Sequence, residues 1–393
     1  MNRKELIEAL ADKTGSTKID AERNIAALTE IISSAQKRGD AVDCFGTYAQ
    51  RLDDAMQELH QKWFDYETRS LKPEYAEIIS CPVCGSGDSK LYFEKDYFRF
   101  VQCEKCSMVY LNPRPSTEAA YDFYNSLWTT IYFEMKFLGS SDTVKIDNLA
   151  NQANIDLIER HYPALKSGKG NLLEIGIGGG YFLRTAKQAG YNVWGIDVGN
   201  ESIEQVAAEF GGQVKNCDLF SAGFESRQFN LVYMRDVFEH VPNPKPMLDE
   251  INRISKEDAT LYIEVPNIEG LIYKIVGKRH VCVFGFEHLN YWSPKTLTHI
   301  LDEAGYDVDT IIHFSTDCTI ANALQHFRQD NYTTVFKSKP NRSFPARIAR
   351  RFVSDLLRIP GISRLDNVLT PKLANLLKRG SSIKVLATKR RST

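Results

Sequence analysis

Four cysteines fall in two pairs with the spacing of metal ligands. Cys81 and Cys84 form one Cys-x-x-Cys pair, Cys103 and Cys106 form the other, and eighteen residues separate the pairs. Two such pairs can turn four thiolates toward one ion, which is the ligand set that tetrahedral zinc prefers. A redox pair would instead open a helix after a strand. Four thiolates leave no open position, so we predict that the zinc folds the module and takes no part in catalysis.

A glycine-rich turn follows a buried strand predicted over Asn171–Ile175. The strand runs into Gly176, Gly178 and Gly180, and a helix is predicted to start near Tyr181. Such a turn lets a ligand approach the backbone, with the helix N-terminus facing it. A dinucleotide fingerprint would need glycine where the chain has Tyr181, and no Lys-Ser/Thr follows the glycines as in a P-loop. The turn therefore predicts another nucleotide-like cofactor.

Acids end the next two predicted strands. Asp197 closes the strand predicted over residues 193–197, about 20 residues after the glycines, where a carboxylate can accept ribose hydroxyls. Asp218 closes a short strand predicted over residues 213–218. The alternatives are a helix N-cap for Asp197 and a loop acid for Asp218.

Two Glu-His pairs follow later strands. Glu239-His240 comes after the fourth predicted strand, and Glu287-His288 lies after the fifth, in an aromatic segment expected over the carboxyl edge of the sheet. Ligands bind at that edge in this architecture, and histidine beside a carboxylate is suited to proton transfer. The alternatives are packing and helix capping for the second pair, and loop organisation for His240.

These elements in order resemble the class I S-adenosylmethionine-dependent methyltransferases over residues 171–311. Residues 174–180 match the family's E/D-x-G-x-G-x-G turn. The resemblance implies an α/β fold with a doubly wound Rossmann-like sheet completed by an antiparallel strand pair. It also implies S-adenosylmethionine as methyl donor, with Asp218 or its neighbours near the adenine. The predicted cofactor-binding residues are Glu174, Gly176, Gly178, Gly180, Asp197 and Asp218.

The segment Phe286-Glu287-His288 resembles the Tyr-Glu-His stretch of zinc-containing sugar C-methyltransferases. The resemblance implies that His288 acts as base or acceptor-orienting group and that Glu287 is its partner or a substrate ligand, with His240 as a third catalytic candidate. Phe286 replaces the tyrosine, so carbon methylation does not follow. We predict methyl transfer to a small molecule, a nucleotide sugar or lipid-linked glycan; the alternatives are an RNA-modifying enzyme and a non-catalytic scaffold.

The N-terminus has apolar residues at helical spacing over residues 2–38, which predicts a helical hairpin. The wording of residues 1–7, 13–15 and 45–47 resembles the first half of HU-type nucleoid proteins. Their DNA-holding basic arm has no counterpart over residues 49–71, and residues 1–80 carry 11 Lys/Arg against 15 Asp/Glu. We therefore expect no DNA binding and predict a hairpin for packing or homodimerisation.

The C-terminal region is strongly basic: residues 337–393 carry 15 Lys/Arg against 2 Asp/Glu. An apolar stripe within 342–358 predicts a basic amphipathic helix that contacts an anionic membrane or a phosphorylated acceptor, or else packs on its own domain. With no apolar run long enough to span a membrane, we expect a cytoplasmic protein, membrane-peripheral through this segment. The predicted regions are a helical hairpin region (1–75), a zinc ribbon (76–115), a helical connector with an aromatic core stripe (116–170), and a methyltransferase domain (171–393) with a lid (268–292) and a basic insertion (337–380).

Overall fold

A computed structural model describes residues 40–133, 141–315 and 375–391. The chain divides into two compact units, Met1–Asp54 and Ala55–Thr393. The predicted N-terminal hairpin and nearly all of the predicted basic insertion lie outside the described residues. Within the described ranges, no helix has the length and apolar character needed to cross a membrane.

Ten α-helices are described, and they are α1 Asp40–Trp63, α2 Thr117–Tyr124, α3 Leu127–Phe133, α4 Ser141–His161, α5 Pro163–Gly168, α6 Tyr181–Gln188, α7 Asn200–Phe210, α8 Pro244–Ile254, α9 Leu271–Val276 and α10 Pro294–Glu303. The described strands are β1 Phe64–Asp65, β2 Ser70–Leu71, β3 Ala76–Glu77, β4 Ser89–Lys95, β5 Phe98–Cys103, β6 Val109–Leu111, β7 Arg114–Pro115, β8 Asn171–Ile175, β9 Asn192–Asp197, β10 Val214–Asn216, β11 Phe229–Arg235, β12 Ser255–Pro266, β13 Asn290–Tyr291, β14 Tyr306–Phe314 and β15 Ser382–Lys389.

The central sheet has seven strands in the order β10-β9-β8-β11-β12-β15-β14. The first five are parallel, and β15 runs antiparallel to both of its neighbours. The order reverses between β8 and β11, and ligands of open α/β sheets bind at the carboxyl ends of strands at such a point. The predicted doubly wound α/β fold, with its antiparallel closing pair, is confirmed.

The central strands are buried on both faces because helices cover each side. Leu172, Leu231 and Tyr233 pack in one apolar cluster with residues of α4, α6 and α7. Their neighbours Leu173 and Val232 pack in a second cluster with residues of α8 and α10. This alternation follows from the two-residue period of a strand. Because both faces are covered, most successive side chains of β8 and β11 are apolar, which gives a nearly continuous apolar run in the sequence.

The cysteine module adds a smaller sheet in the order β13-β6-β5-β4. Three of its strands come from the predicted ribbon, whereas β13 comes from the end of the segment predicted to be a lid. Asn290 pairs with Tyr110, and Tyr291 pairs with Val109. The carboxyl end of the predicted lid is therefore fixed to the cysteine module by backbone hydrogen bonds.

The third strand of the central sheet is shorter than predicted. β10 ends at Asn216, and Asp218 lies in the following loop. There, Asp218 Oδ1 accepts the N–H of Ser221 at 2.8 Å. A carboxylate that binds a backbone N–H three residues ahead stabilises a turn, which is why the strand stops before this acid.

Candidate functional site

The four cysteines meet as their spacing predicted. Their sulfur atoms all lie within 4.8 Å of one another; Sγ of Cys81 is 3.4 Å from that of Cys106, and Sγ of Cys84 is 3.5 Å from that of Cys103. The backbone N–H groups of Gly85 and Ser107 close the two turns onto the carbonyls of Cys81 and Cys103. With zinc–sulfur bonds of about 2.3 Å, this arrangement fits a tetrahedral ion.

The glycine turn wraps the end of β8 in left-handed backbone. Gly176, Gly178 and Gly180 have φ values of 78°, 47° and 72°. A Cβ atom on Gly176 would lie 2.3 Å from Cγ2 of Val237, so a side chain at this position would also displace the segment that follows β11. The turn therefore packs directly on the segment that leads to the first Glu-His pair.

Asp197 lies beside this turn, and Asp218 lies in the loop after β10. Asp197 Oδ2 accepts the N–H of Gly178 and its Oδ1 accepts the N–H of Gly199, both at 2.9 Å. The hydroxyl of Tyr121 donates to Asp218 Oδ2 at 3.2 Å. Burial raises the pKa of Asp218, but the hydrogen bonds from Ser221 and Tyr121 outweigh it and hold that pKa below the usual range.

The cofactor-side carboxylate of Glu174 is deeply buried, and its Oε2 has no hydrogen-bond partner among the described residues. Burial raises the pKa of this carboxyl well above its usual value, against the opposing charge of Arg235. A buried carboxylate oxygen with no donor is suited to a ligand that brings positive charge or N–H groups. The ammonium and sulfonium groups of S-adenosylmethionine meet that requirement, so the residues present fit this cofactor.

The two Glu-His pairs come together across 47 residues of sequence. His240 lies between both carboxylates: its Nδ1 is 3.3 Å from Oε1 of Glu287, and its Nε2 is 3.6 Å from Oε1 of Glu239. The ring centroids of His240 and His288 are 4.7 Å apart. The structure thus pairs Glu287 with His240, whereas the sequence resemblance suggested His288 as its partner.

The two histidines differ in charge because their surroundings differ. Burial lowers the pKa of His240, but the carboxylates of Glu287 and Glu239 outweigh it and raise that pKa to about 9. Burial and the neighbouring His240 lower the pKa of His288 well below its usual value. At neutral pH, His288 is therefore neutral, with a ring nitrogen free to accept a hydrogen bond, whereas His240 is cationic.

A cleft opens beside these histidines. It is lined by Glu239 and His288 together with Asn267, which follows β12, Tyr273 of α9, and Asn290 and Tyr291 of β13. The hydroxyls of Tyr273 and Tyr291 and both carboxylate oxygens of Glu239 are buried without a hydrogen-bond partner in the described part of the chain. Unmatched polar atoms around one cleft favour a ligand that is rich in hydroxyl groups.

Two tyrosines of α2, which belong to the aromatic stripe predicted to be core, contact Asp218 and His240 instead. Tyr124 OH lies 2.8 Å from Nδ1 of His240, and the charge of Asp197 reaches the same phenol. Tyr121 is 42% exposed and contacts Asp218, whereas Phe123 and Trp128 of the same stripe are buried as predicted. The helical spacing of Tyr121 and Tyr124 places both on one face of α2, which is a signal the sequence offered.

Comparison with known proteins bears on this arrangement. Residues 147–311 match the family model of the methyltransferase domain. The chain carries a methyltransferase domain. It is 23% identical over 201 residues to the ubiquinone biosynthesis O-methyltransferase of Nitrosospira multiformis, a match that covers 48% of this chain and 83% of that one. Another relative is an uncharacterised protein of Methanocaldococcus jannaschii, 26% identical over 39% of this chain and 71% of its own length.

Among solved structures, a SAM-dependent methyltransferase from Archaeoglobus fulgidus is similar with 21% identity and a TM-score of 0.41, covering 66% of this chain and 99% of that chain. Residues 1–52 match the family model of bacterial DNA-binding proteins, in agreement with the resemblance to HU-type proteins. The methyltransferase domain supports S-adenosylmethionine as methyl donor, and the glycine turn, Glu174 and Asp197 are its candidate binding residues.

Proposed function

We propose that this methyltransferase transfers a methyl group from S-adenosylmethionine to a small, hydroxyl-rich acceptor, a sugar of a nucleotide sugar or of a lipid-linked glycan. The observation that carries the proposal is the cleft of unmatched polar atoms at the histidine cluster. Its hydroxyls and its carboxylate supply donors and acceptors to a polyhydroxylated ring. Val237 packs on the glycine turn and Glu239 lines the cleft, so a single residue, Phe238, separates the donor side from the acceptor side.

His288 is the residue proposed to meet the acceptor hydroxyl, as its base or as the group that orients it. Its lowered pKa keeps the imidazole neutral at pH 7. Glu287 supports the reaction through His240, which it contacts at 3.3 Å. Bound S-adenosylmethionine supplies the electrophilic methyl group, and the chain's residues align the acceptor with it and handle the acceptor's proton.

A second acceptor class follows from the relatives' names. The ubiquinone biosynthesis O-methyltransferases act in the formation of a quinone, so a ring hydroxyl of a quinone precursor is the alternative acceptor. Both acceptors present hydroxyl oxygens to the cleft, and both make the reaction an O-methylation.

Transfer of radiolabelled methyl from S-adenosylmethionine to a panel of acceptors tests the proposal. The panel contains nucleotide sugars, lipid-linked glycans, dihydroxylated aromatic compounds and RNA. His288→Gln should lower kcat about 10²- to 10³-fold and leave the Kd of S-adenosylmethionine unchanged. His299→Gln, which removes a surface histidine paired with Glu303, is the matched control. Transfer to RNA alone, or undiminished turnover by His288→Gln, would reject the proposal.

We also propose that the four-cysteine cluster holds structural zinc. Its support is the mutual approach of four sulfurs from two turns of similar geometry. The metal content of the purified chain, measured by mass spectrometry, should be one zinc at this cluster, and Cys81→Ser combined with Cys103→Ser should abolish it.

A further inference from the structure

Glu239 and His288 of the cleft, together with the adjoining His240, form a donor set that the proposed reaction does not by itself require. Glu239, His240 and His288 each bring a ligand-type atom within 4.8 Å of the other two. Two imidazoles and one carboxylate are a recurrent ligand set for divalent transition-metal ions that keep open positions for substrate. We infer that this cluster binds a divalent transition-metal ion, separate from the four-cysteine site.

The surroundings of both imidazoles match those of metal ligands. A metal-bound histidine usually directs its second ring nitrogen to a carboxylate, a backbone carbonyl or a water, which fixes the ring. Nδ1 of His240 contacts Tyr124 and Glu287 and its Nε2 faces Glu239, so the ion would bind Nε2 by displacing the proton that this nitrogen carries at neutral pH. His288 has a hydrogen bond with the backbone of Cys282. Each ring is thus held from behind, with one nitrogen left for the cluster.

Glu239 supplies the independent evidence for a missing ligand. Its side chain is 2% exposed, and neither carboxylate oxygen has a hydrogen-bond partner among the described residues. Leaving a buried polar group unsatisfied costs about 1–3 kcal/mol, and more for a charged one. The ion pair with His240, at 3.6 Å, is longer than a hydrogen bond. A cation among these three groups would satisfy the carboxylate.

The cluster needs only a small contraction to hold an ion. Bonds of about 2.1 Å to nitrogen and oxygen place neighbouring ligand atoms roughly 3 to 3.5 Å apart. The three ligand atoms lie within 4.8 Å of one another. Side-chain rotations that move each atom by about an ångström would therefore bring them to bonding distance of one ion. Both histidines retain some exposure, toward which an ion would keep its open positions.

The role of the ion rests on the proposed function. Its open positions would bind two neighbouring oxygens of the acceptor, such as vicinal hydroxyls or a hydroxyl beside a carbonyl. His288 would then orient the acceptor through the ion. The acceptor class is thereby narrowed to molecules with two adjacent oxygens, because a single hydroxyl cannot chelate.

Titration with Co²⁺ of the full-length chain, loaded with only the one equivalent of zinc that the four cysteines take, tests the site. Calorimetry should show one further ion per chain, and its absorption spectrum should lack the intense thiolate-to-cobalt band that a cysteine ligand gives. Failure to take up Co²⁺, or uptake with a thiolate band, overturns the inference; the band would assign the ion to cysteine, for example Cys282 in the same cleft.

Variants locate the ion. Glu239→Gln and His288→Gln should each weaken Co²⁺ binding by more than a hundredfold, Glu287→Gln by about 10- to 100-fold through His240, and His299→Gln not at all. Unaltered binding by Glu239→Gln overturns the site. Loss of S-adenosylmethionine affinity by a variant would indicate that the variant does not fold. In that case the absorption spectrum of the Co²⁺-loaded wild type decides whether the site exists. Co²⁺ uptake without transfer to any acceptor rejects the proposed function alone, whereas transfer without uptake rejects the metal site alone.

Discussion

Asp197 combines a loop-forming role with its predicted contact to the cofactor ribose. Its two oxygens accept the N–H groups of Gly178 and Gly199. Asp197→Asn keeps one acceptor oxygen and removes the charge, so we expect the Kd of S-adenosylmethionine to rise about 10- to 100-fold, from the loss of charge-assisted hydrogen bonds. Calorimetry measures this. Asp258→Asn, which breaks only a surface pair with Arg391, is the control and should bind like wild type; an equal Kd for both variants would contradict the role of Asp197.

The buried His60 should make the stability of the chain sensitive to acid. Burial lowers its pKa to about 4 from the ordinary 6.5. The unfolded chain therefore takes up a proton between pH 6.5 and 4 that the folded chain does not, so stability falls as the pH drops through this window. The contribution is roughly 2 kcal/mol between pH 7 and pH 5.

Urea unfolding at a series of pH values measures this effect. His60→Gln does not titrate, so its free energy of unfolding should fall less between pH 7 and pH 5 than that of the wild type. His299→Gln, at an exposed position, should keep the wild-type slope. Identical slopes for wild type and His60→Gln would show that another group governs the acid response.

At the level of elements, the four-cysteine module should depend on its metal. The module is built from short strands, and Cys81, Val83 and Cys103 belong to the same apolar cluster as the strands of the central sheet. Cys103→Ser should therefore lower Tm by roughly 10 °C and remove the bound zinc. Cys217→Ser changes a cysteine that packs at the edge of the same apolar cluster but lies outside the four-cysteine site, so it should keep the zinc and lower Tm much less. Calorimetric melting with metal analysis tests this, and an unchanged Tm for Cys103→Ser would refute a structural metal.

The elements of the central sheet were predictable because each one is a local pattern. β8, β9, β11 and β12 are apolar runs between turn signals, and their order fixes the fold. The contact of Glu287 with His240 was not predictable, because it joins residues 47 apart, held by hydrogen bonds from the N–H groups of Leu289 and Asn290 to the carbonyl of Glu239. Asp218 was placed at a strand end because the pattern of residues does not show that its carboxylate closes a turn.

The whole chain has a net charge of −1, but its N-terminal region is net acidic and its C-terminal region is strongly basic. We expect the basic segment 342–358 to bind anionic surfaces, because its positive charges are concentrated in one stretch. The full chain should pellet with phosphatidylserine vesicles, whereas a variant without residues 340–365 should stay in the supernatant. Neutral vesicles are the control, and equal retention of both proteins would exclude this segment as the contact.

Residues 1–52 match the family of bacterial DNA-binding proteins, but the charge of this region is unfavourable for binding DNA. Residues 1–80 are net acidic, and α1 occupies residues 40–63, where an arm would begin. We therefore expect no measurable change in the fluorescence anisotropy of labelled duplex DNA with a protein fragment of residues 1–80 at 150 mM salt. Saturable, salt-sensitive binding would show that the family's activity is retained despite the charge.

Strand β13 pairs with β6 of the cysteine module, and its residues Asn290 and Tyr291 also line the cleft proposed to hold the acceptor. Oxidation of the thiols should therefore raise the KM for the acceptor while the Kd of the methyl donor stays constant, since the glycine turn follows β8, which belongs to the central sheet and not to the sheet of the cysteine module. An oxidant would thus weaken the enzyme's use of its acceptor without entering the cleft in which the acceptor is proposed to bind.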